Sequence, residues 1–568
     1  MELFNILFAS LALSILPQGT NDMTAAVMAA VDKVRANGGG RIVFAPGDYH
    51  FRSPQKKNWY VSNHRNPTPR EVFLPITNIS NAVFESKRAE FIFHGGGLGF
   101  ALVDCGNVTL RGISFDYSRP YNTEWRLVGL ENGEPVLETD PEIFPFAVKE
   151  GMLYNDGECW HGKETLAFLF DAQTHQLISV GHFGGGCERI SERRIRLKFQ
   201  SSKWRYSRPL RPGTIYVTRC TYRPNPAVLL YRAHSTLFED VIVRASGGMG
   251  IIAQRCSGVT IRGTGSAKSR SAGAMARKGS GRVTSMQADA THFSNCKGLI
   301  TVENCYFEGM VDDAINVHST CLKIEKVISS DRLLCRYMHH ESFGFETFLP
   351  GERLRFIRVE SFEPGMEIVV KDVKWHDPTL VELTLAEPVP AQYKAGDAVE
   401  NALWQPSVVF SRNVVSLSTP RATLFTTPGR VVCESNLFDR VGGQPIHLSG
   451  DAADWYESGA CRDVTIRGNV FKECFTQYKG GRRGLITVNP NIKDIGSQKE
   501  RYHRNILVEG NTFDCGDIPL VWAWSVSNFV WRANTVRRPS GAKTEPFIFE
   551  HSDDIRLKHT GMNTKKGK

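Results

Sequence analysis

A short phrase that recurs along the chain limits the folds open to it more than any other feature. Each copy joins a small or polar residue, a short strand-like run, a Gly or Asn, and a second short run. Neighbouring copies can be as close as 22 residues, from Leu237 to Val259, or 23 residues, from Asn511 to Asn534. Strands this short cannot bury an apolar face alone, so the repeats must stack on one another as a solenoid. The copies occupy residues 107–115, 235–244, 257–265, 297–309, 429–440, 462–474, 504–516 and 527–536.

The runs alternate as β-strands do. In VTIRG (259–263), Val and Ile are placed on the inward face and Thr and Arg on the outward face. An Asn follows each bend, where it tolerates a left-handed turn and can stack coil upon coil. We therefore predict an all-β fold, a right-handed parallel β-helix. The competing architecture, an antiparallel propeller, would show four strands per unit and a longer, more regular repeat than this sequence has.

The chain begins this fold with a helix. Residues 21–51 contain helically spaced apolar positions after Asp22, which can cap the helix, and the run Gly38–Gly40 stops it. The stretch RIVFAPGDY then starts the first β segment. We predict an N-terminal helical cap on the β-helix.

Two segments interrupt the repeats. They hold longer alternating strands, among them RRIRLKFQ, LRFIRV and MEIVVKDVKW, and they end alike in RPGTIYV and KAGDAVE. We predict two related antiparallel β-barrel-like insertions that leave and re-enter the β-helix. The predicted organisation is a signal peptide (1–20), the cap and first coils (21–118), insertion 1 (119–217), central coils (218–324), insertion 2 (325–402), C-terminal coils (403–555) and a basic tail (556–568).

Composition excludes several classes of function. Among 568 residues, 69 Lys and Arg stand against 59 Asp and Glu, a net charge of +10. Part of the excess lies in the basic tail, and the other basic residues form no stripe, so no nucleic-acid partner is predicted. Thirteen cysteines at irregular spacing include no CxxC pair, which argues against a zinc ribbon or a thioredoxin-like site. We interpret the cysteines as small buried apolar residues.

The first twenty residues, MELFNILFASLALSILPQGT, contain an apolar run from Leu3 to Leu16. The run is too short for a comfortable membrane span. It resembles the hydrophobic region of a signal peptide, with Ala12-Leu13-Ser14 as a cleavage context, although no basic residue precedes it. The alternative is an N-terminal helix that covers the end of the core. We expect an exported protein, secreted, periplasmic or on the cell surface, with no integral membrane span.

Two adjacent aspartates stand out in the stretch GMVDDAINVH, residues 309–318. By strand parity Asp312 shares the outward face with Asn316 and His318, whereas Asp313 falls on the apolar face. An unpaired carboxylate there would be costly. Either the chain bends so that both aspartates face outward, or Asp313 is buried with a partner.

A third aspartate belongs to the same group. Asp289, in SMQADATHF, precedes Asp312 by 23 residues, which matches one coil and places the two on adjacent rungs roughly 5 Å apart. Carboxylates gathered on one face repel each other and raise at least one pKa, so one group can stay protonated at neutral pH. Glycoside hydrolysis uses such a pair, a protonated carboxylic acid and an ionised carboxylate close to it. The same oxygens suit a calcium ion, and an acidic patch without function is the third reading.

Aromatic and polar residues in two loops and on the coils are candidates for binding a sugar. One loop, ALWQP (402–406), follows insertion 2, and the other, SGDAADWYESG (449–459), lies between coils. Such rings can stack on a pyranose face and the polar groups can bind hydroxyls, although each residue can equally serve packing alone. The candidates are Asn316, His318, Trp404, Gln405, His447, Asp451, Trp455 and Tyr456.

Several stretches together resemble glycoside hydrolase family 110, the α-1,3-galactosidases. They include VLLYRAHSTLFEDVIVRASGGMGIIAQRC, QADATHF, DDAINVH and GDAADWYESG, within a similarity that runs from about residue 20 to about residue 550. The resemblance implies an inverting enzyme that needs no metal and no cofactor. It also implies a substrate with terminal α-1,3-linked galactose, as in the blood group B antigen, in linear Gal-α-1,3-Gal and in other galactose-terminated oligosaccharides or glycoconjugates.

The acid cluster of that family maps onto Asp289, Asp312 and Asp313. We expect Asp312 to be the general acid, and Asp289 with Asp313 to hold and activate the water. Inversion asks for about 6.5–9.5 Å between acid and base, more than adjacent rungs provide, so the side chains must diverge or the base must be offset laterally. Ser319 follows DDAINVH where the family's motif usually continues with Gly, a departure that does not touch the acids.

Two other functions stay open. A calcium-dependent polysaccharide lyase, in which the aspartates bind the ion and an Arg is the base, would lose its activity to a chelator. A non-catalytic glycan-binding β-helix would keep its function after Asp312→Asn. The insertions carry no catalytic signature, and they can frame the pocket, bind glycan or form a homodimer.

Overall fold

The computed structural model describes residues 11–158, 160–198, 210–475 and 481–558, together with the backbone of 562–565. Short strands wind into stacked coils, and the helix Thr24–Ala36 lies at the N-terminal end. Nearly all pairings between successive coils are parallel, which confirms the predicted parallel β-helix and its helical cap. Two 3₁₀ turns, Ala267–Ser269 and Ile495–Ser497, complete the helical content of the described residues.

Two long sheets run along the β-helix, and we call them sheet A and sheet B. Sheet A contains the strands Ala12–Ile15, Gly40–Phe44, Gly47–Phe51, Ser80–Phe93, Gly106–Tyr117, His234–Glu239, Ile242–Val243, Ser257–Arg262, Gly273–Ala274, Lys297–Glu303, Tyr306–Glu308, Ser407–Ser411, Val414–Ser416, Val431–Glu434, Leu437–Asp439, Val464–Arg467, Val470–Lys472, His503–Glu509, Thr512–Asp514, Val526–Arg532, Thr535–Pro539, Asp553–Leu557 and Met562–Lys565. Sheet B contains Gln55–Lys57, Arg70–Thr77, Leu98–Val103, Val228–Tyr231, Ile251–Gln254, Thr291–Ser294, Ile315–Thr320, Arg421–Phe425, Gln444–Leu448, Glu457–Ser458, Ile486–Val488, Val521–Trp524 and Phe547–Glu550.

The core fills the inside of the coils. Val259 and Ile261 are buried while Thr260 between them is partly exposed, as the alternation in the sequence predicts. Each apolar position stacks on an equivalent position in the next coil, because the strands pair in register; Val259 pairs with Ile300 in this way. Later coils continue the stack with aromatic rings whose centroids lie 4.5–5.1 Å apart: Phe438, Phe471, Phe513 and Trp531.

A buried asparagine ladder ties the later coils together. Its members are Asn413, Asn436, Asn469, Asn511 and Asn534. At each step the backbone N–H of one Asn donates to Oδ1 of the next, at 2.8–2.9 Å. Each side-chain Nδ2 also donates to a backbone carbonyl of the preceding coil at 2.9–3.0 Å.

The ladder confirms that these residues stack coil upon coil, but they are not the left-handed residues. The positive φ angle belongs to the residue before each Asn, for example 55° at Arg412 and 57° at Ser435. The prediction of left-handed asparagines is wrong at these positions, because the bend turns the preceding side chain outward and directs the Asn amide into the core, where backbone groups need partners.

Insertion 1 is an antiparallel unit of two sheets. Its predicted limits, 119–217, lie close to the observed strands, which span 122–219. Within the described residues it forms an open seven-stranded sheet rather than a closed barrel. That sheet contains Asn122–Glu131, Glu134–Glu138, Leu166–Phe170, Leu177–His182, Cys187–Arg189, Arg194–Leu197 and Ile215–Arg219, and a three-stranded sheet contains Phe146–Lys149, Met152–Gly157 and Trp160–Lys163.

Insertion 2 is a closed barrel, as its alternating strands predict. Its limits in the structure, 322–401, lie close to the predicted 325–402. All its strand pairings are antiparallel. The six strands are Leu322–Ser329, Arg332–Arg336, Arg353–Arg358, Glu363–Asp377, Leu380–Leu385 and Ala398–Asn401.

The chain ends bear on two further predictions. Residues 1–10 lie outside the described part, and Ala12–Ile15 pairs in parallel with Gly40–Phe44, so cleavage after Ser14 would divide a strand of the first coil. The signal peptide stays a prediction. At the other end, the backbone of 562–565 in the basic tail pairs with Thr535–Pro539.

Two smaller expectations concern cysteines and membranes. The twelve cysteines that the structure describes are all buried and free of disulfides, as expected of small apolar residues, and Cys159 lies outside the described residues. In the described part of the chain, no helix has the length and apolar character to cross a membrane.

We expect Asn469→Ala to destabilise the β-helix by about 2–3 kcal/mol, because it leaves the buried N–H of Asn436 without a partner and removes the Nδ2 hydrogen bond to the carbonyl of Cys433. Chemical denaturation of the variant beside the wild type measures the loss. Asn491→Ala removes one exposed side-chain hydrogen bond and is the control, with an expected loss below about 1 kcal/mol. Equal losses in the two variants would contradict a stabilising ladder.

Candidate active site

Three successive coils place two aspartates and one arginine at equivalent positions, just before strands of sheet B. Thr291 pairs with Ile315, and Ile315 pairs with Thr423. Two residues before each of these stand Asp289, Asp313 and Arg421. The N–H of Ala290 donates to the carbonyl of Asp313 at 2.8 Å, which extends the register to this point.

The register corrects one prediction. Asp289 and Asp312 do lie on adjacent coils, but the residue stacked on Asp289 is Asp313, because this coil measures 24 residues and not 23. The chain bends at 311–314, just before the strand Ile315–Thr320.

The bend gives the adjacent aspartates different environments. Asp313 is fully buried, whereas the side chain of Asp312 is 18% exposed and lines a cleft. Of the two arrangements that strand parity left open, the structure combines parts of both: the chain bends, and Asp313 is buried with a partner. Asp289 is also buried, and its Oδ1 accepts the backbone N–H of Asp313 at 3.2 Å.

Two arginines neutralise much of this charge. Arg421 donates from Nε to Asp313 at 2.9 Å and from a terminal nitrogen to Oδ1 of Asp312 at 3.3 Å. Arg223 donates to Oδ2 of Asp312 at 3.0 Å. Three carboxyl groups therefore face two guanidinium groups, and one proton on the carboxyl groups makes the set electrically neutral.

Burial places that proton on the inner carboxyl groups. Burial, reinforced by the charge of Asp312, raises the pKa of Asp289 to about 7. Burial also raises the pKa of Asp313 well above its usual value, although Arg421 opposes the shift. These groups titrate as a coupled set, so their apparent pKa values describe the cluster and not the individual residues.

Two buried oxygens beside the cluster accept no hydrogen bond from the described protein. They are Oδ2 of Asp313, which is fully buried, and Oδ1 of Asn316, which is 4% exposed. A buried acceptor without a partner is costly unless water or a ligand donates to it. Both atoms are therefore suited to a water molecule or a substrate hydroxyl.

A pair of buried histidines continues the cluster on the side of Asp289. His292 Nδ1 lies 2.7 Å from Oδ2 of Asp289, and its Nε2 lies 2.8 Å from Nε2 of His318. His318 Nε2 also lies 3.4 Å from a carboxylate oxygen of Glu457. Burial and the neighbouring His318 lower the pKa of His292 well below its usual value.

The cleft beside Asp312 has a volume of about 610 Å³. Insertion 1 forms one wall with apolar side chains, Phe168, Leu177 and Val180. The coils form the opposite wall, which continues from Asp312 past Pro420 and Gln444 to Arg483. Because neighbouring strands are about 4.8 Å apart, this wall spans three coil steps, roughly 14 Å.

The other side of Asp312 is closed by packed loops. Arg223 is held there by the N–H of Arg65, which donates to its carbonyl at 2.9 Å. The ring of Trp455 lies 5.3 Å from the Arg223 guanidinium carbon and stacks on His339 of insertion 2, with ring centroids 3.8 Å apart. Trp455 is thus the predicted aromatic residue that the fold brings next to the cluster.

The side chain of Trp404 contacts residues that do not belong to the acid cluster. Its Nε1 donates to Glu352 at 2.6 Å, and Arg255 and Lys297 pack on its ring at 3.9 and 4.4 Å from the centroid. Gln405 donates to the carbonyl of Asn401, and its Oε1 is buried without a partner in the described protein. The sugar-binding role of both residues stays a prediction.

The remaining candidates also have protein environments of their own. Both carboxylate oxygens of Asp451 accept backbone N–H groups of its own loop, including that of Ala453 at 2.8 Å. Tyr456 is buried in an apolar cluster with Cys321 and Ile357. Burial lowers the pKa of His447 to about 3, and neither of its ring nitrogens has a partner among the described residues.

The three aspartates also offer oxygen ligands to a cation. One oxygen from each of Asp289, Asp312 and Asp313 lies within 4.8 Å of the others, a donor set that calcium accepts. Arg421 and Arg223 already donate to three oxygens of this set. Because the guanidinium groups supply the positive charge, the donor set fits acid–base chemistry better than a divalent ion.

Sequence reasoning missed the two arginines and His292. Arg421 lies 108 residues after Asp313 and Arg223 lies 89 residues before Asp312, so neither belongs to a local motif. His292 does carry a local signal, since it stands three residues after Asp289 within QADATHF.

Comparisons with known proteins agree with the architecture. A family described as GLAA-B beta-barrel domain II matches residues 332–399, within insertion 2. Alpha-1,3-galactosidase B of Akkermansia muciniphila is 37% identical over 95% of this chain and 68% of its own length. Alpha-1,3-galactosidase B of Bacteroides fragilis is 32% identical over 94% of this chain and 92% of its own.

Among solved structures, the A-module of a mannuronan C-5 epimerase from Azotobacter vinelandii is similar over 97% of each chain, at 10% identity and a TM-score of 0.42, values too low to indicate a shared function.

A parallel β-helix with three carboxyl groups and two arginines beside one cleft defines a β-helix protein equipped for acid–base chemistry. Given the identities over nearly the whole chain, the protein belongs to the α-1,3-galactosidase family, glycoside hydrolase family 110.

The pKa of Asp289 predicts how stability depends on pH. Its folded value, about 7, lies above its unfolded value, about 4, so the folded protein binds more protons between these pH values and loses stability as pH rises through the window. The loss can reach ~4 kcal/mol for a shift of this size. Asp289→Asn removes this term, so the variant should gain stability relative to the wild type from pH 4.5 to pH 8.

Thermal unfolding of both proteins across this pH range measures the difference. Asp463→Asn, which removes an exposed carboxylate, is the control and should keep a constant difference from the wild type. A constant difference for Asp289→Asn as well would contradict the raised pKa.

Proposed function

We propose that this chain is an exo-acting α-1,3-galactosidase that hydrolyses terminal α-1,3-linked galactose with inversion and without a metal ion. The substrates are galactose-terminated oligosaccharides or glycoconjugates, such as the blood group B antigen or linear Gal-α-1,3-Gal, met outside the cytoplasm. The observation that carries the proposal is the set of three carboxyl groups within 4.8 Å of one another beside a cleft, in a member of this family.

In the proposed reaction Asp312 is the general acid, because among the three aspartates it is the one that lines the cleft. Its proton goes to the glycosidic oxygen as the bond from that oxygen to the anomeric carbon breaks. Asp289 and Asp313 hold the water. The water oxygen bonds to the anomeric carbon and its proton goes to one of these two carboxylates.

The arginines set a condition on this assignment. Arg223 and Arg421 donate to both oxygens of Asp312 and favour its ionised form in the free protein. For Asp312 to act as the acid, the proton of the cluster must move onto it when substrate enters. The cluster is compact enough for such a transfer, because an oxygen of each carboxyl group lies within 4.8 Å of the others.

The distance between the carboxyl groups does not itself support inversion. Inverting enzymes commonly separate acid and base by about 6.5–9.5 Å, and the nearest oxygens here are closer. Support for inversion comes from family membership and from the depth of the site. Two buried carboxyl groups lie behind an acid that faces the cleft, and Asp313 Oδ2 has no protein donor in the described residues and can take a hydrogen bond from water.

An exo mode of action agrees with the shape of the site. Loops that include Arg65, His339 and Trp455 pack around Arg223 and close one side of Asp312. The cleft continues on the other side toward Gln444 and Arg483. A terminal sugar would lie against the closed side, and the rest of the glycan would follow the open wall between insertion 1 and the coils.

The activity is tested with purified protein and a chelator. We expect release of galactose from Gal-α-1,3-Gal in the presence of EDTA, and no release from α-1,4- or α-1,6-linked galactosides. Activity that disappears with EDTA and returns with calcium would instead favour the lyase-type, ion-dependent reading. Binding of the disaccharide without any hydrolysis would favour a glycan-binding protein.

Variants test the assigned roles. Asp312→Asn should lose at least about a thousandfold in kcat/KM on the disaccharide but much less on α-galactosyl fluoride, whose leaving group needs no proton. Asp313→Asn should lose comparably on both substrates. Equal losses for Asp312→Asn on the two substrates would contradict its role as the acid, and His376→Gln, an exposed histidine of insertion 2, is the control that should keep wild-type rates.

A further inference from the structure

Two buried imidazoles extend from the catalytic cluster in a line that the proposed reaction does not use. Asp289 Oδ2 contacts His292 Nδ1 at 2.7 Å, and His292 Nε2 contacts His318 Nε2 at 2.8 Å. His318 Nδ1 contacts the backbone carbonyl of Ser319 at 3.0 Å. Both histidines are fully buried. We call this line, from Asp289 to the Ser319 carbonyl, the histidine chain.

The far end of the histidine chain determines where its hydrogens are. The carbonyl oxygen of Ser319 can only accept, so His318 Nδ1 must carry a hydrogen and donate it. A neutral His318 then has a bare Nε2. The 2.8 Å contact therefore requires a hydrogen on His292 Nε2, which donates to His318.

The same argument continues to the aspartate. A neutral His292 with its hydrogen on Nε2 has a bare Nδ1, which can only accept. The 2.7 Å contact with Asp289 then requires a hydrogen on Oδ2 of Asp289. Two other arrangements have the same number of protons. In one, an Asp289 carboxylate lies beside a His292 imidazolium; in the other, an Asp289 carboxylate accepts from Nδ1 of a neutral His292, and His318 is the imidazolium, with Nε2 3.4 Å from Glu457.

The surroundings decide among these three arrangements. Charge separation in a site without exposure is costly, and the positive charge of Arg223 opposes an imidazolium, whereas Glu457 and Asp312 favour one. The full burial of both rings tips the balance to neutral imidazoles. The charged and titratable groups that face the chain are His64, Arg223, Asp312, Asp313, Arg421 and Glu457.

We propose that His292 and His318 are positioning residues that hold the resting proton of the active site on Oδ2 of Asp289. This inference deepens the proposed function and rests on it for its kinetic consequence. The raised pKa of Asp289, about 7, agrees with such a resting state.

The resting proton closes the catalytic cycle without exchange with solvent. On substrate binding the proton moves from Asp289 to Asp312, which leaves Asp289 ionised. In the chemical step Asp312 gives this proton to the leaving oxygen, and the attacking water gives one proton to Asp289. The site ends with Asp289 protonated and Asp312 ionised, which is the state in which it began.

Neutron diffraction from crystals of the deuterium-exchanged wild-type protein near pH 6 tests the proton positions directly. We expect deuterium on Oδ2 of Asp289, on Nε2 of His292 and on Nδ1 of His318, and none on Nδ1 of His292. Deuterium on Nδ1 of His292, with or without deuterium on its Nε2, would overturn the proposal. This measurement needs no enzymatic activity, so it stands even if the protein acts on another substrate.

A matched pair of variants tests the effect on catalysis. His318→Leu removes the acceptor for His292 Nε2–H, so His292 can turn its hydrogen toward Asp289 and stabilise the carboxylate. We expect the basic limb of the pH profile of kcat/KM to move to lower pH by about one unit, with KM unchanged. His318→Gln offers an amide oxygen as the acceptor and should keep the basic limb of the wild type.

A purely structural role would lower activity equally at every pH. A folded His318→Leu variant with the wild-type basic limb would therefore overturn the proposal. Absence of galactosidase activity in the wild type would instead refute the proposed function, and the neutron measurement would still decide where the proton is.

Discussion

The pairing of Arg421 with Asp313 is the interaction on which the site depends. Asp313 has no solvent exposure, and a buried carboxylate without a partner would cost several kcal/mol. The β-helix supplies the partner through register alone, because Arg421 occupies in the next coil the position that Asp313 occupies in its own. The regular stacking that buries the apolar core thus also lowers the free-energy cost of an acidic cluster inside the protein.

The two insertions complete what the coils begin. The coils provide one wall of the cleft, which carries the acids and arginines, but a pocket needs a second wall. Insertion 1 adds Phe168 and Leu177 on the opposite side of the cleft, and insertion 2 reaches the other side through His339, which stacks on Trp455. Both insertions therefore frame the site, one of the three roles that their sequences left open, and each does so with apolar or aromatic side chains.

Much of the fold was predictable because its signals are local and repeated. The alternation in VTIRG, the recurring Asn and the helix before Gly38–Gly40 each predict a structure that neighbouring residues can form. The three aspartates were also recognisable, since Asp312 and Asp313 are adjacent and Asp289 lies one coil earlier. What failed was the register by one residue, because the length of this coil, 24 residues, cannot be read from the spacing of the aspartates alone.

The arginines could not be found in the same way. Insertion 2 separates Arg421 from Asp313 in the chain, and insertion 1 precedes Arg223, so the contacts exist only after the coils have closed around both insertions. Aromatic residues were chosen as sugar-binding candidates because of their residue type, and the sequence did not show which of them lie close to the acid cluster. Of these, Trp455 lies beside Arg223, whereas Trp404 is held by Glu352 and Arg255.

The proposed reaction requires that Asp312 protonates the glycosidic oxygen and that the buried pair of carboxyl groups activates water for an inverting attack. Proton NMR of the sugar released from Gal-α-1,3-Gal, recorded before mutarotation, tests it most directly. The account predicts that β-galactose appears first. First appearance of α-galactose would contradict it, because one of the aspartates would then have to form a covalent bond to the sugar instead of activating water.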